Sequence, residues 1–100
     1  DMTEAEIEGE YELNTGKVIA ECFESRSIDP EAVPAVLVRS HGPFTWGKSA
    51  AEAAKNSAVL EAVAKDAYLS ERMNAPTANI FLQKKHYFRK HGANAYYGQK

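Results

Sequence analysis

The sequence predicts an α/β fold, and three observations carry the prediction. Apolar residues recur at helical spacing in three separate segments. One short apolar run, Ala35–Val38, reads as a buried strand. Turn chemistry at Ser40-His41-Gly42, followed by the alternating Phe44-Thr45-Trp46, reads as a strand returning beside it. The bulk properties agree with a single soluble domain: 100 residues, 44% hydrophobic and 26% charged. No apolar run exceeds four residues, against the roughly 20 that a membrane helix needs. The one cysteine, Cys22, excludes an intrachain disulfide framework and a four-cysteine zinc site, and points to a reducing, cytoplasmic setting.

The elements follow in order. Thr3 and Glu6 have capping-box spacing, with Met2 and Ile7 at the staple positions. Ile7, Tyr11, Val18, Ile19, Cys22 and Phe23 then continue one amphipathic helix over residues 3–25, in which Gly9 and Gly16 are weak points or sites of close packing. Asp29-Pro30 predicts a short helical turn before Pro34. After the hairpin, Ser49 and Glu52 form a second capping box, and an alanine-rich helix runs over residues 50–68. Asn74 and Pro76 mark a loop over residues 70–76. Thr77 then caps a last helix with Ile80, Phe81, Tyr87 and Phe88 as its apolar residues, Tyr87 and Phe88 in the core, and Gly92 as its stop, followed by a tail over residues 93–100.

Three helices around one hairpin leave the sheet short, because an isolated two-stranded sheet is marginal in water. A strand apolar on both faces needs neighbours that this sequence does not supply. The expectation is that residues 1–100 are the C-terminal part of a single larger layered domain. The opening Asp1-Met2-Thr3-Glu4 has no apolar signal segment, and the lack of an initial methionine reads as processing or as a piece of a longer chain.

Charge is distributed unevenly. Residues 1–31 hold ten acids against two bases, a net −8, and residues 32–100 hold four acids against ten bases, a net +6. The basic end suits either a solvated helix face or a phosphate-bearing partner. His41, at a strand end and followed by the unshielding Gly42, is the sharpest candidate for chemistry, since neutral imidazole is the commonest metal ligand. A structural histidine explains the same position, and one imidazole is not a metal site. His86 and His91 lie five apart, about 140° around a helix, and do not chelate one metal together. Tyr96 and Tyr97 stand in a terminal tail where they should dock on something, as interface anchors or as an acid/base group. There is no internal repeat, glycine-rich phosphate loop, HExxH motif or nucleophile elbow.

Three stretches taken together carry a resemblance. YELNTGKVI over residues 11–19, VLVRSHGPFTWGK over residues 36–48 and KHYFRKHGANAYYGQ over residues 85–99 resemble, in that order and spacing, the C-terminal half of class II aldolase/epimerase family enzymes. The SHGPF turn is shared by aldolases of that superfamily, and the tail points to its pentulose-phosphate epimerases. The resemblance implies a three-layer α/β/α fold with a mostly antiparallel sheet, a cytoplasmic homotetramer, and active sites between subunits. It implies zinc held by three histidines, of which His41 matches the third; the other two, the main phosphate grip and a catalytic aspartate belong to the family's N-terminal half.

Tyr97 matches the family's acid/base tyrosine from the adjacent subunit, and His86 a histidine near the same site. Family members often carry histidine where this chain has Arg39, which is expected to tune the surroundings of His41 without abolishing binding. The implied substrate is a small sugar phosphate, with no nucleic-acid or membrane partner. The implied reaction is retro-aldol cleavage and re-addition, with zinc stabilising the enediolate. A class II aldolase that releases its products, and a non-enzymatic adducin-like interaction domain, are the alternatives. With one of three zinc ligands, the 100 residues alone are expected to be inactive.

Overall fold

The computed structural model describes residues 1–98; Gln99, the last residue of the tail motif, and Lys100 lie outside the described residues. The chain divides into two compact units, Asp1–Ala67 and Tyr68–Lys100. The first holds α1 (Glu4–Glu8), α2 (Tyr11–Ser25), β1 (Ala35–Val38), β2 (Gly42–Thr45) and most of α3 (Ala50–Arg72). The second holds the end of α3 and α4 (Ile80–His91).

The expected capping box at Thr3 forms in full. The Thr3 hydroxyl accepts from the Glu6 backbone N–H, and Glu6 Oε2 accepts from the Thr3 backbone N–H at 2.7 Å. Those bonds, first to the Thr3 backbone and then to its hydroxyl, hold the Glu6 carboxyl below the usual carboxylate range. A lowered folded value means stabilisation that is present above the unfolded carboxylate value, about 4.3, and lost as pH falls through the folded value. Backbone chemical shifts of residues 4–8 should therefore lose helical character on acidification below about pH 4, and Glu6→Gln, which keeps the acceptor without the titration, should remove that dependence.

The single helix expected over residues 3–25 is two. Gly9 leaves the helical region with ψ −136°, ending α1, and Asn14 Nδ2 donates to the Glu6 carbonyl at 3.0 Å. A side-chain amide thus satisfies a carbonyl that the break exposes. At the other end of α2, Ser27 N–H donates to Glu24 O and Ile28 N–H to Phe23 O, with Ser27 at φ 52°. That is a Schellman ending with serine in the position glycine usually takes.

Phe23 and Thr15 are the buried residues of this unit. Trp46 packs its ring edge-on against Phe23, with centroids 5.5 Å apart, and donates from Nε1 to Pro30 O at 2.8 Å. One indole therefore ties α2, the helical turn after Asp29 and the end of the hairpin. The hairpin is antiparallel, pairing Ala35 with Thr45, Val36 with Phe44, Leu37 with Pro43 and Val38 with Gly42. β2 starts two residues earlier than its alternation suggested, because Gly42 at φ 136° absorbs the turn and lets pairing begin at once.

The strand expected to be buried is only half covered: Leu37 is 63% exposed, since β2 lies beside β1 and does not cover its face. The described residues supply four helices and one hairpin, one helix more than expected because the first helix divides at Gly9.

α3 begins with a variant of the expected box. Ser49 Oγ accepts from the Glu52 backbone N–H, while Glu52 reaches past Ser49 to accept from the Lys48 backbone N–H. Thr45 Oγ1 donates to Ala53 O and Asn56 Nδ2 to Trp46 O, so α3 is fastened to the end of β2. Gly47 allows that approach, because a Cβ there would lie 3.0 Å from the Ala53 backbone nitrogen. α3 continues four residues beyond the expected end and stops in a second Schellman ending, with Asn74 at φ 51° and Ala75 N–H donating to Ser70 O.

In the second unit, α4 is capped by Asn79 and not Thr77: Asn79 Oδ1 accepts from the Phe81 backbone N–H at 2.8 Å. Gly92 does end the helix, but at φ −77° rather than in the left-handed region. Tyr87 and Phe88, expected in a core, are 39% and 57% exposed. A 33-residue unit with one full helix has too little chain to bury both sides of that helix.

Candidate functional site

The hairpin presents His41 where the sequence places it. Three residues, Arg39, Ser40 and His41, bridge β1 and β2; His41 N–H donates to Val38 O at 3.1 Å, and Ser40 takes φ 60°. The His41 ring stacks on Phe44, with centroids 4.9 Å apart and planes 23° apart, and tilts against Tyr11 at 6.4 Å. Arg39 pairs with Asp1 at 3.4 Å on the surface, a contact that solvent leaves worth little. Arg39 thus directs its charge to the start of the chain. Sequence reasoning missed Phe44 and Tyr11 as partners of this imidazole. The signal for Phe44 was available: it is the first aromatic after the turn.

A zinc site requires at least three protein donors. Among the described residues no three His, Cys, Asp or Glu side chains gather into such a set. The described residues therefore do not gather a three-donor set by themselves; His41 offers one donor of the right chemistry.

The other two candidates lie in the second unit. His86 is exposed on α4. The tail folds back on that helix: Tyr96 and Tyr97 N–H both donate to Arg89 O, at 2.8 and 3.0 Å, and Gly92 N–H donates to Phe88 O. The Tyr97 ring lies over the Arg89 guanidinium at 4.3 Å, with Lys90 Nζ at 5.5 Å. The tail docks as expected, but through its backbone and a cation–π contact rather than by burying both rings.

Arg89, which the sequence reading did not single out, is the hub of this arrangement. Its Nε is buried and makes no hydrogen bond among the described residues. A cleft of about 460 Å³ beside it is lined by Lys85, Phe88, Arg89, Asn94 and Tyr96 among others, and neither His86 nor Tyr97 lines it. The second unit does not bring its two predicted catalytic side chains into one cavity.

A strand-end imidazole on a hairpin braced by two helices is part of an α/β domain. The chain belongs to the class II aldolase and adducin family: the family model described as Class II Aldolase and Adducin N-terminal domain matches residues 2–68. That match takes in α1, α2, the hairpin with His41, and α3 as far as Tyr68. His86 and Tyr97 lie beyond it. No solved structure matches the chain. No helix among the described residues is long and apolar enough to cross a membrane.

Proposed function

We propose that this chain is the C-terminal part of a single class II aldolase/epimerase domain, and that the intact protein is an L-ribulose-5-phosphate 4-epimerase. It would interconvert L-ribulose 5-phosphate and D-xylulose 5-phosphate in the cytoplasm as a homotetramer with active sites between subunits. The observation that carries the reading is the position of His41, on a hairpin turn within the residues that match the family. In this reading His41 is one of three histidines holding one zinc per subunit, the others belonging to the domain's N-terminal half.

The hydrogen at C4 is not acidic, so inversion there calls for cleavage of the C3–C4 bond. Loss of the C4 hydroxyl proton and bond cleavage leave glycolaldehyde phosphate and the enediolate of dihydroxyacetone. Rotation of the aldehyde and re-addition on its other face, with return of a proton to the C4 oxygen, complete the inversion. Such a path needs proton handling on both faces. The Tyr97 hydroxyl serves one face, with its ring held over Arg89, and His86 contributes near the same site. No nucleic acid or membrane takes part.

Two other readings share the family. A class II aldolase, such as one acting on L-fuculose phosphate, would release its products, and an adducin-like domain would bind a partner without turnover. The test is product analysis with the longest polypeptide that contains this sequence. Conversion of L-ribulose 5-phosphate to D-xylulose 5-phosphate without free aldehyde is expected. Accumulating dihydroxyacetone or its phosphate with an aldehyde would favour the aldolase, and absence of any turnover the binding domain. The 100 residues alone should show none.

A further inference from the structure

We propose that Arg89 is a positioning residue for Tyr97, an inference that rests on the reading of Tyr97 as a proton-transfer group. Tyr97 is 50% exposed in a tail outside any helix or strand, where a side chain ordinarily samples several rotamers. Its ring is nevertheless placed against α4, because Arg89 holds it twice.

The first hold is through the backbone. Arg89 O lies in the last turn of α4, where carbonyls lack partners within the helix. It accepts from Tyr96 N–H at 2.8 Å and from Tyr97 N–H at 3.0 Å. Gly92 gives the chain its way back to that carbonyl: a Cβ there would lie 2.7 Å from Phe88 O.

The second hold is the side chain. Arg89 Cζ lies over the Tyr97 ring, 4.3 Å from its centroid, inside the roughly 6 Å over which a cation is attracted to an aromatic face. Lys90 Nζ stands farther off, at 5.5 Å. Arg89 Nε is buried with no hydrogen-bond partner among the described residues. A guanidinium N–H withdrawn from water without an acceptor is costly, and the ring face offsets that cost. The two groups depend on each other: the ring shields the guanidinium, and the guanidinium fixes the ring plane. A phenol held at both backbone and ring is preorganised, which a proton-transfer group needs.

The structural half is tested by NMR of the 100-residue chain with Arg89→Ala and Arg89→Lys variants. Alanine is the best helix former, so α4 survives the truncation. In the wild type, three-bond couplings should report one Tyr97 χ1 rotamer, with the Arg89 side-chain protons shifted by the facing ring. In Arg89→Ala the Tyr97 rotamers should average, although the backbone bonds to the carbonyl at position 89 remain possible. Arg89→Lys, which keeps a cation, should lie between. A single Tyr97 rotamer in Arg89→Ala, or averaging in the wild type, would overturn the proposal.

In the longest polypeptide containing this sequence, Arg89→Ala should lower kcat for L-ribulose 5-phosphate about 10²-fold, with KM close to wild type. Arg89→Lys should recover part of that loss. In a Tyr97→Phe background Arg89→Ala should cost little more, since both changes act on one group. A raised KM with kcat retained would assign the guanidinium to the substrate and contradict the positioning role. Unchanged kcat in Tyr97→Phe would remove the proton-transfer reading instead, and the NMR result would still decide whether Arg89 holds the ring.

Discussion

Tyr97→Phe should lower turnover of L-ribulose 5-phosphate in the longest polypeptide containing this sequence by about 10²–10⁴-fold, the usual yield of a positioned proton-transfer group. The substitution removes one oxygen and keeps the ring, so the contact with the Arg89 guanidinium at 4.3 Å survives and the tail stays docked on α4. The backbone bonds from Tyr96 and Tyr97 to Arg89 O are also untouched. Steady-state kinetics should show the loss in kcat, with KM close to wild type, because the hydroxyl acts on the reacting proton and not on the phosphate. A Tyr97→Phe variant with undiminished kcat would remove Tyr97 from the chemistry and leave it as an anchor.

Phe23→Ala should unfold the first unit. Phe23 is the one buried apolar side chain there, 8% exposed, and the indole of Trp46 packs against it. Truncating a buried phenylalanine costs about 3–5 kcal/mol, a large share of the total stability of any small domain. The cooperative thermal transition followed by Trp46 fluorescence should disappear at 25 °C and above. Leu37→Ala provides the contrast: at 63% exposure it should change stability by less than about 0.5 kcal/mol in this chain. In a complete layered domain the same change should cost several times more, because further strands or a helix layer would cover that face.

Local chemistry made much of the fold legible. The Thr3–Glu6 box, the Asp29-Pro30 turn, the hairpin and the position of His41 all depend on neighbours within a few residues, and all are present. The departures have local causes as well. Asn14 stabilises the break after α1 through a hydrogen bond from its side-chain amide to the carbonyl eight residues back along the chain, a pairing that periodicity does not encode. Asn79 displaces Thr77 as the cap of α4, both being competent residue types two positions apart. Ser27 and Asn74 end helices in the left-handed conformation where a glycine would have announced the stop.

The expectations that went furthest astray were those of burial. Apolar periodicity marks a face that wants cover, and Leu37, Tyr87 and Phe88 have that character without the cover. The candidate site divides in the same way. A strand-end histidine before glycine was visible in the sequence. Its stack on Phe44 and the role of Arg89 beneath Tyr97 were not, because they arise from the path of a turn and of a tail that folds back.

The most direct test of the account is the zinc content of the longest polypeptide that contains this sequence, measured by elemental analysis after loosely held metal is removed, with His41→Ala beside it. Close to one zinc per subunit is expected in the parent, with loss of that zinc in His41→Ala. A parent protein without zinc, or a His41→Ala protein that keeps it, would contradict the assignment of His41 and with it the proposed epimerase.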